Sequence, residues 1–249
     1  MSRRGCLLAL AASCLAGSAL LAQGRGGGPP AGPPPSPQAS APIDVTGYWV
    51  AVVNEDWRWR MVTPPKGDVT SVPLNPAGTK AASAWNPETD GSCLAYGAAG
   101  LLRMPTRLHI TWENPTTLKI ETDAGQQTRR LHFDRGAPPG PRSLQGHSVA
   151  EWERGGGGRG APPPVGGTLK VTTTNLTAAW LRRNGVPYSE NAAMTEYFDR
   201  FATPPGDEWL AVTTLVNDPT YLTAEFYTSS HFKREPDGTK WSPAPCKAT

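Results

Sequence analysis

Residues 106–134 read TRLHITWENPTTLKIETDAGQQTRRLHFD, and they give the clearest indication of the fold. It contains three short runs in which apolar and polar residues alternate, at 106–113, 117–123 and 127–134. Alternation with a period of two indicates β-strands that bury one face. An Asn-Pro pair ends the first run and an Ala-Gly pair follows the second, so we predict a meander of antiparallel strands.

The same alternation continues along the chain, at 46–53, 147–153, 169–176, 193–201, 209–217 and 221–234. One short helix is predicted at Pro76–Asn86, which has a Pro at its start, an Ala-rich middle and an Asn-Pro stop. Eight to ten short antiparallel strands favour an all-β, lipocalin-like barrel, because hairpin connections dominate and closure removes exposed strand edges. A two-sheet β-sandwich is the alternative fold.

The first 22 residues have the three parts of a secretory signal peptide. Arg3 and Arg4 precede an uncharged apolar run, Cys6–Ala22, whose end offers a small residue for cleavage. A transmembrane anchor is the alternative, but the run is short and rich in Ala, Ser and Gly. Cys14 lacks the preceding Leu of a lipoprotein site, so we expect no lipid anchor. We therefore expect a periplasmic or secreted protein with no transmembrane segment after removal of residues 1–22.

The charge balance argues against two kinds of partner. The full sequence has 24 Lys and Arg against 21 Asp and Glu, and the signal peptide holds two of the Arg and no acid. The mature chain thus has 22 basic and 21 acidic residues, without the basic patch that nucleic acids require or a run of like charges for a membrane surface. We expect neither partner.

Two cysteines remain after removal of the signal peptide, Cys93 and Cys246. In an exported chain this pair indicates one disulfide, which would tie the C-terminal tail to an early part of the domain. No Cys or His lies within metal-ligand spacing of either cysteine, and the sequence has no His-x-His motif, phosphate loop or Gly-x-Ser-x-Gly elbow. We therefore expect no metal ion and no cofactor.

Three segments are dominated by Gly and Pro, which cannot form a packed core. Residues 23–42 are predicted to be a disordered linker. Residues 135–146 and 154–167 flank a strand-like run, and we interpret them as flexible loops within one domain. The remaining residues, 43–249, are predicted to form that single β-rich domain.

Two predicted loops, 54–65 and 180–190, carry dense clusters of Arg and aromatic residues. Loops at a barrel mouth often hold binding residues, and Arg beside Trp and Tyr suits a planar, anionic or aromatic guest. The alternative is that these side chains pack on each other and plug the barrel end. The candidate ligand-binding residues are Trp57, Arg58, Trp59, Arg60, Arg183, Asn184 and Tyr188.

Titratable residues on the predicted strands are candidates for acid–base catalysis. His147 and Glu151 are four residues apart and therefore share one strand face; the alternative is a polar outer face. Acidic residues around 121–123 and Arg on the next strand are equally explained as cross-strand ion pairs. The candidate catalytic residues are His109, Asp123, Arg129, His147 and Glu151.

A series of short motifs runs through most of the domain: a Cys, a Met-Pro pair, a Gly-x-Ser-Val-x-x-Trp-Glu run, a Thr-Leu-x-Val-x-Thr-Thr strand and an Asp-Pro-x-x-Tyr-like turn. The residues of this pattern are Cys93, Met104-Pro105, Leu108–Trp112, Thr128–Arg130, Gly146–Glu153, Thr168–Thr174, Thr195–Tyr197 and Asp218–Tyr221. In this pattern most of the domain resembles a large group of exported bacterial β-rich proteins with no assigned activity. The chain departs from the pattern after Trp-Glu, where an insertion replaces the usual Gly-Asp. The resemblance implies the β-rich fold and export, and it implies no activity.

Three functions are consistent with these patterns. The first is an exported barrel that binds a small apolar or aromatic molecule. The second is a cofactor-free acid–base enzyme, of the isomerase, lyase or hydrolase type, that uses the barrel cavity. The third is a structural envelope protein. The contents of the barrel interior distinguish them, since a filled interior weakens both ligand hypotheses.

Overall fold

Most of the regular structure is β-strand, as the alternation of apolar and polar residues predicts. The structure is a computed structural model that describes residues 32–90, 93–155, 166–204 and 206–246. The barrel strands are β1 Gly47–Val52, β2 Arg107–Asn114, β3 Thr117–Thr122, β5 Thr128–His132, β6 His147–Glu153, β7 Thr168–Thr174, β10 Ala193–Thr203, β11 Asp207–Asn217 and β12 Phe226–Glu235. The other elements are β4 Ala124–Gly125, β8 Ala179–Arg182, β9 Val186–Tyr188, β13 Ala244–Pro245, the helices α1 Trp57–Arg60, α2 Pro76–Ala84 and α3 Ala98–Leu101, and a 3-10 turn at Leu94–Tyr96.

Nine strands close into a barrel in the order β1-β12-β11-β10-β7-β6-β5-β3-β2. The first strand completes the closure, because β1 pairs antiparallel with both β12 and β2. The prediction of an all-β barrel with a short helix is confirmed. The elements belong to one compact unit, residues 35–249.

Helix α2 begins where the sequence predicts. The Asn75 side chain accepts a hydrogen bond from the Gly78 amide, at 2.9 Å, and Pro76 occupies the first helical turn. The helix ends at Ala84, two residues before the predicted end. The predicted loops 54–65 and 180–190 contain short elements instead, helix α1 and the β8–β9 hairpin.

One junction of the barrel is parallel. Strands β5 and β6 share two residue pairs, Leu131 with Ser148 and His132 with Val149. The chain between them is the predicted loop 135–146, which crosses over and is held by a bridge from Ser143 to Leu176. A parallel pair needs such a crossover, whereas the antiparallel pairs need only turns.

Side chains occupy the barrel interior. The inward positions of the described strands form one apolar core, whose members include Trp49, Leu108, Ile110, Leu118, Ile120, Leu131, Leu169, Val171, Phe198, Leu210, Val212 and Phe232. These side chains are at most 1% exposed, so the middle of the barrel is packed like an ordinary domain core.

A cap closes one end of the barrel through a second apolar core. The members come from the β8–β9 hairpin, helix α3 and the ends of β10 to β12, and they include Ala98, Leu181, Val186, Tyr188, Met194, Val216 and Phe226. The C-terminal tail is tied to the same end, since β13 pairs in parallel with β4.

The predicted disulfide is confirmed between Cys93 and Cys246. Their Cα atoms are 5.6 Å apart and 153 residues separate them in sequence. Such a bond forms and persists in oxidising compartments, so it fits an exported protein. No helix within the described ranges is long and apolar enough to cross a membrane.

The predicted signal peptide, residues 23–31 of the predicted linker and residues 156–165 of the loop 154–167 lie outside the described residues. The last part of the linker range contacts the barrel. The Trp152 indole N–H donates to the Pro37 carbonyl at 2.9 Å, and the Gln38 amide donates to the Pro115 carbonyl at 3.2 Å. Residues from about Pro37 onward are therefore part of the folded unit.

Candidate functional site

Three aromatic side chains line one end of the barrel, and we call them the aromatic mouth: Trp112, Phe133 and Trp152. Each follows the inward-facing positions of its strand, β2, β5 or β6, at the end where that strand leaves the core. The Phe133 ring centroid lies 5.4 Å from that of Trp112 and 5.4 Å from that of Trp152. The three rings pack on the core while staying partly exposed, so they form a continuous aromatic surface at the barrel end.

A cavity of about 390 Å³ lies beside the aromatic mouth. Its walls are Trp112 and Trp152 on one side and the segment 38–46 on the other. The hydrogen bond from Trp152 to Pro37 fixes both the indole ring and the segment that faces it. The volume is within the range of small-molecule sites in proteins.

Asp44 is the charged residue in this cavity wall. Burial acts to raise its pKa, but hydrogen bonds from the side chain and amide of Thr46, with Arg234 and Arg200 nearby, outweigh that effect and hold the pKa below its ordinary value. The carboxylate is therefore ionised at neutral pH. A ligand with a hydrogen-bond donor or a cationic group fits this wall better than an anion.

The opposite end of the barrel carries the residues that the sequence singled out for binding. Helix α1 lies against the turn between β8 and β9, and Arg183 donates to the Arg60 carbonyl at 2.7 Å. The Asn184 amide donates to the carbonyls of Pro65 and Asp68, at 2.9 and 3.0 Å. The two predicted binding loops thus meet in space, and their side chains contact each other.

Five arginines gather there, and we call them the arginine cluster: Arg58, Arg60, Arg103, Arg182 and Arg183. Arg60 pairs with Glu55 and donates to the Arg103 carbonyl at 2.9 Å, and Arg103 pairs with Asp56 at 2.7 Å. The guanidinium groups of Arg58 and Arg182 both lie over the Trp59 ring, at 4.4 and 4.6 Å from its centroid. Sequence reasoning left Arg182 and Arg103 out of the candidate residues.

Two of the candidate ligand-binding residues lie apart from the cluster. Trp57 points into solvent with 63% of its surface exposed. Tyr188 is fully buried in the core of the cap, where a Cβ on Gly97 would come within 2.3 Å of its hydroxyl oxygen. Burial raises the pKa of Tyr188 far above its ordinary value, so this hydroxyl stays protonated.

Arg129, a candidate catalytic residue, lies inside the barrel in a buried ion pair with Glu196. Its two terminal nitrogens donate to the two carboxylate oxygens at 2.9 and 2.5 Å, and Thr173 and Ser148 complete the network at 3.2 and 3.5 Å. Sequence reasoning missed Glu196, whose signal is an acidic residue at an inward position of β10 between Met194 and Phe198.

His109 and Asp123 have separate surroundings. His109 stacks on Tyr48 at 4.2 Å between ring centroids and faces Glu121 at 3.4 Å. Asp123 accepts hydrogen bonds from the hydroxyl of Thr106, at 2.8 Å, and from the amide of Arg107, at 2.7 Å. These contacts hold the turn after β3 in place.

His147 and Glu151 share one face of β6, as predicted, but that face points outward, because the buried residues of β6 are Ser148 and Ala150. Glu151 pairs with Lys170 at 3.5 Å. The five candidate catalytic residues thus lie in different surroundings, and no contact recorded in the described ranges joins any two of them. Their catalytic roles stay predictions.

Acid is expected to destabilise the fold slightly through His132, which stacks on His147 at 5.5 Å. Burial, with the charges of His147 and Arg130, lowers the pKa of His132 below 6.5, although Glu113 and Asp134 act to raise it. The unfolded chain then binds the proton more readily, so the stabilising contribution present above the ordinary pKa is lost as the pH falls through it. Between about pH 7.5 and pH 5 we expect the melting temperature to fall by a few degrees at most. Thermal unfolding of the wild type and His132→Gln checks this, and an equal fall in both would contradict it.

The part of the chain that the structure describes contains no group of three or more His, Cys, Asp or Glu side chains placed to hold a metal ion. Comparisons with known protein families, with curated proteins and with solved structures found no match. The group to which the sequence pattern points stays a prediction.

Proposed function

We propose that this chain is an exported small-molecule-binding barrel, periplasmic or secreted, and that its ligand has an apolar or aromatic body. The observation that carries the proposal is the aromatic mouth beside a cavity of about 390 Å³. The middle of the barrel is filled, so the site we propose is at the barrel end and not in its interior.

The residues that line the cavity, and their charge, support a particular chemical class of ligand. An aromatic or apolar body would stack on Trp112 and Trp152, where flat contact removes apolar surface from water on both partners. The ionised Asp44 would accept a hydrogen bond from a donor or cationic group on the same molecule. The Trp152 indole N–H already donates to the Pro37 carbonyl, so a ligand would contact the face of that ring.

Replacing Trp152 by leucine is expected to weaken binding of the neutral probe N-phenyl-1-naphthylamine about tenfold or more. The reason is that the substitution removes both an aromatic face and the hydrogen bond that holds the cavity wall. Titration of the mature protein, followed by probe fluorescence, measures the change. Mass spectrometry of protein purified from its own envelope under native conditions identifies any molecule that copurifies.

The matched control is Tyr227→Leu, which removes an aromatic side chain that is 59% exposed on β12. We expect it to bind the probe like the wild type. Circular dichroism and melting temperature check that both variants fold, and Trp112→Leu replaces Trp152→Leu if the latter does not. Equal affinity of the wild type and a folded mouth variant would contradict the proposal.

A further inference from the structure

Arg182 is a buried cation, and two of its three guanidinium nitrogens have no hydrogen-bond acceptor among the described residues. Its residue surface is 6% exposed, and its Nε and Nη1 atoms have no partner within the described residues. The Nη2 atom of Arg60, a residue that is 2% exposed, also lacks an acceptor. Buried guanidinium nitrogens are normally paired, because an unpaired buried charge is strongly destabilising.

Both guanidinium groups line the same small cavity. The cavity measures about 20 Å³, and its walls also include Trp59, Arg103 and Arg183. The space is small, so only a compact polar group fits it. Trp59 holds the Arg182 guanidinium by stacking on its flat face, which leaves the edge with Nε and Nη1 available for an acceptor.

Positive charge at this site exceeds negative charge. The arginine cluster has five cations, and within the part of the chain that the structure describes three carboxylates pair with it, Glu55, Asp56 and Asp68, so the described side chains leave an excess of two positive charges. These carboxylates have other partners as well: Glu55 also contacts His231 at 3.1 Å, and Asp68 accepts from the Trp59 indole at 2.9 Å.

Arg182 nevertheless stays charged at neutral pH. Burial and the neighbouring Arg103 lower its pKa to about 10, with Asp56 and Asp68 opposing them. The cavity therefore presents permanent positive charge and unused donors to whatever occupies it.

We propose that this cavity binds a small oxyanion, a carboxylate or a phosphate-type group, through Arg60 and Arg182. The forked guanidinium matches the geometry of both groups, and a buried site strengthens each charge-assisted hydrogen bond. The site is separate from the aromatic mouth. Arg60 follows the end of β1 and Arg103 precedes the start of β2, whereas Asp44 precedes β1 and Trp112 lies near the end of β2.

Calorimetric titration of the mature protein with inorganic phosphate, sulfate and acetate, at constant ionic strength in chloride, tests the proposal. We expect saturable binding of at least one anion, and the order of the three affinities distinguishes a phosphate-type from a carboxylate ligand. Arg182→Met is expected to weaken that binding at least tenfold. The same substitution should raise the melting temperature of the ligand-free protein, because it removes an unpaired buried charge.

The matched control is Lys66→Met, which removes one positive charge from an exposed side chain in the segment next to the cavity. We expect it to leave the affinity unchanged. Arg182→Lys keeps the charge but loses the fork, and it should retain part of the binding. Probe binding at the aromatic mouth is measured in the same variants and should not change, so failure of one site is distinguishable from failure of the other.

Two results would overturn the inference. The first is the absence of saturable binding of all three anions to the folded wild type. The second is an Arg182→Met variant that melts at a lower temperature and binds the anion as tightly as the wild type. In that case Arg182 only packs between Trp59 and Phe226, over whose rings its guanidinium lies.

Discussion

Replacing Glu196 by leucine is expected to lower the free energy of unfolding by about 3–5 kcal/mol, the usual cost of leaving one buried charge without its partner. Arg129 and Glu196 are at most 1% exposed, and the guanidinium holds the carboxylate by two hydrogen bonds, at 2.9 and 2.5 Å. The substitution leaves Arg129 charged among the apolar side chains of the barrel. Urea denaturation, with the midpoint and slope compared with the wild type, measures the effect.

The double variant Arg129→Met with Glu196→Leu distinguishes the cost of leaving one charge unpaired from the cost of removing the whole ion pair. Removing both charges is expected to restore part or all of the stability, since a buried pair replaced by apolar residues of similar volume is often neutral. As a control, Glu113→Leu breaks an ion pair with Arg130 that is exposed to solvent, and it should change the free energy of unfolding far less than Glu196→Leu does. A Glu196→Leu variant as stable as the wild type would show that the pair is not buried as described.

Loss of the disulfide is the second large effect that we expect. The Cys93→Ser/Cys246→Ser double variant releases a loop of 153 residues, for which the chain-entropy treatment gives about 3–5 kcal/mol. The pairing of β13 with β4 depends on the same tether, because Pro245 pairs with Gly125 one residue before Cys246. Thermal unfolding with and without a reductant measures the loss.

The reductant provides the internal control. Reduced wild-type protein should melt close to the double variant, and the reductant should leave the double variant unchanged. Equal melting temperatures of the oxidised wild type and the double variant would contradict a stabilising role for the bond.

The strands were predictable because each one buries a single face. Strand β6 has the predicted bounds, β2 begins and ends one residue later than predicted, and β3 ends one residue earlier. Alternation reports which residues face the core, and in a barrel every strand has such a face. The hairpin β8–β9 was missed because its strands, of four and three residues, are too short to show a period.

The pairing of the strands was less predictable from the sequence than their positions along the chain. Alternation does not identify a strand's neighbour, so the parallel junction of β5 and β6 followed from no local pattern. Arg129 was among the candidate catalytic residues, but its ion-pair partner Glu196 was not predicted, since it lies 67 residues away on β10. Pairing between such distant positions depends on the closed sheet, which brings four inward positions of different strands together.

The candidate sites were likewise only partly predictable from the sequence. The two loops rich in Arg and Trp were recognised from composition, and they do contact each other, as the hydrogen bond from Arg183 to Arg60 shows. The aromatic mouth was missed because Trp112, Phe133 and Trp152 come from three strands, and each alone is an ordinary core residue. The available signal was an aromatic residue at the end of each strand's inward-facing series.

The parallel junction has a consequence for how the barrel opens. Strands β5 and β6 are joined by two residue pairs, fewer than the five that join β5 to β3 or the seven that join β6 to β7. Arg129 on β5 reaches past Ser148 on β6 to Glu196 on β10, so the ion pair spans this junction from the inside. Local unfolding should start where backbone hydrogen bonds are fewest. Because the ion pair links that region to the strands beyond it, we expect the junction to open only together with those strands. The barrel is therefore expected to unfold as one cooperative unit.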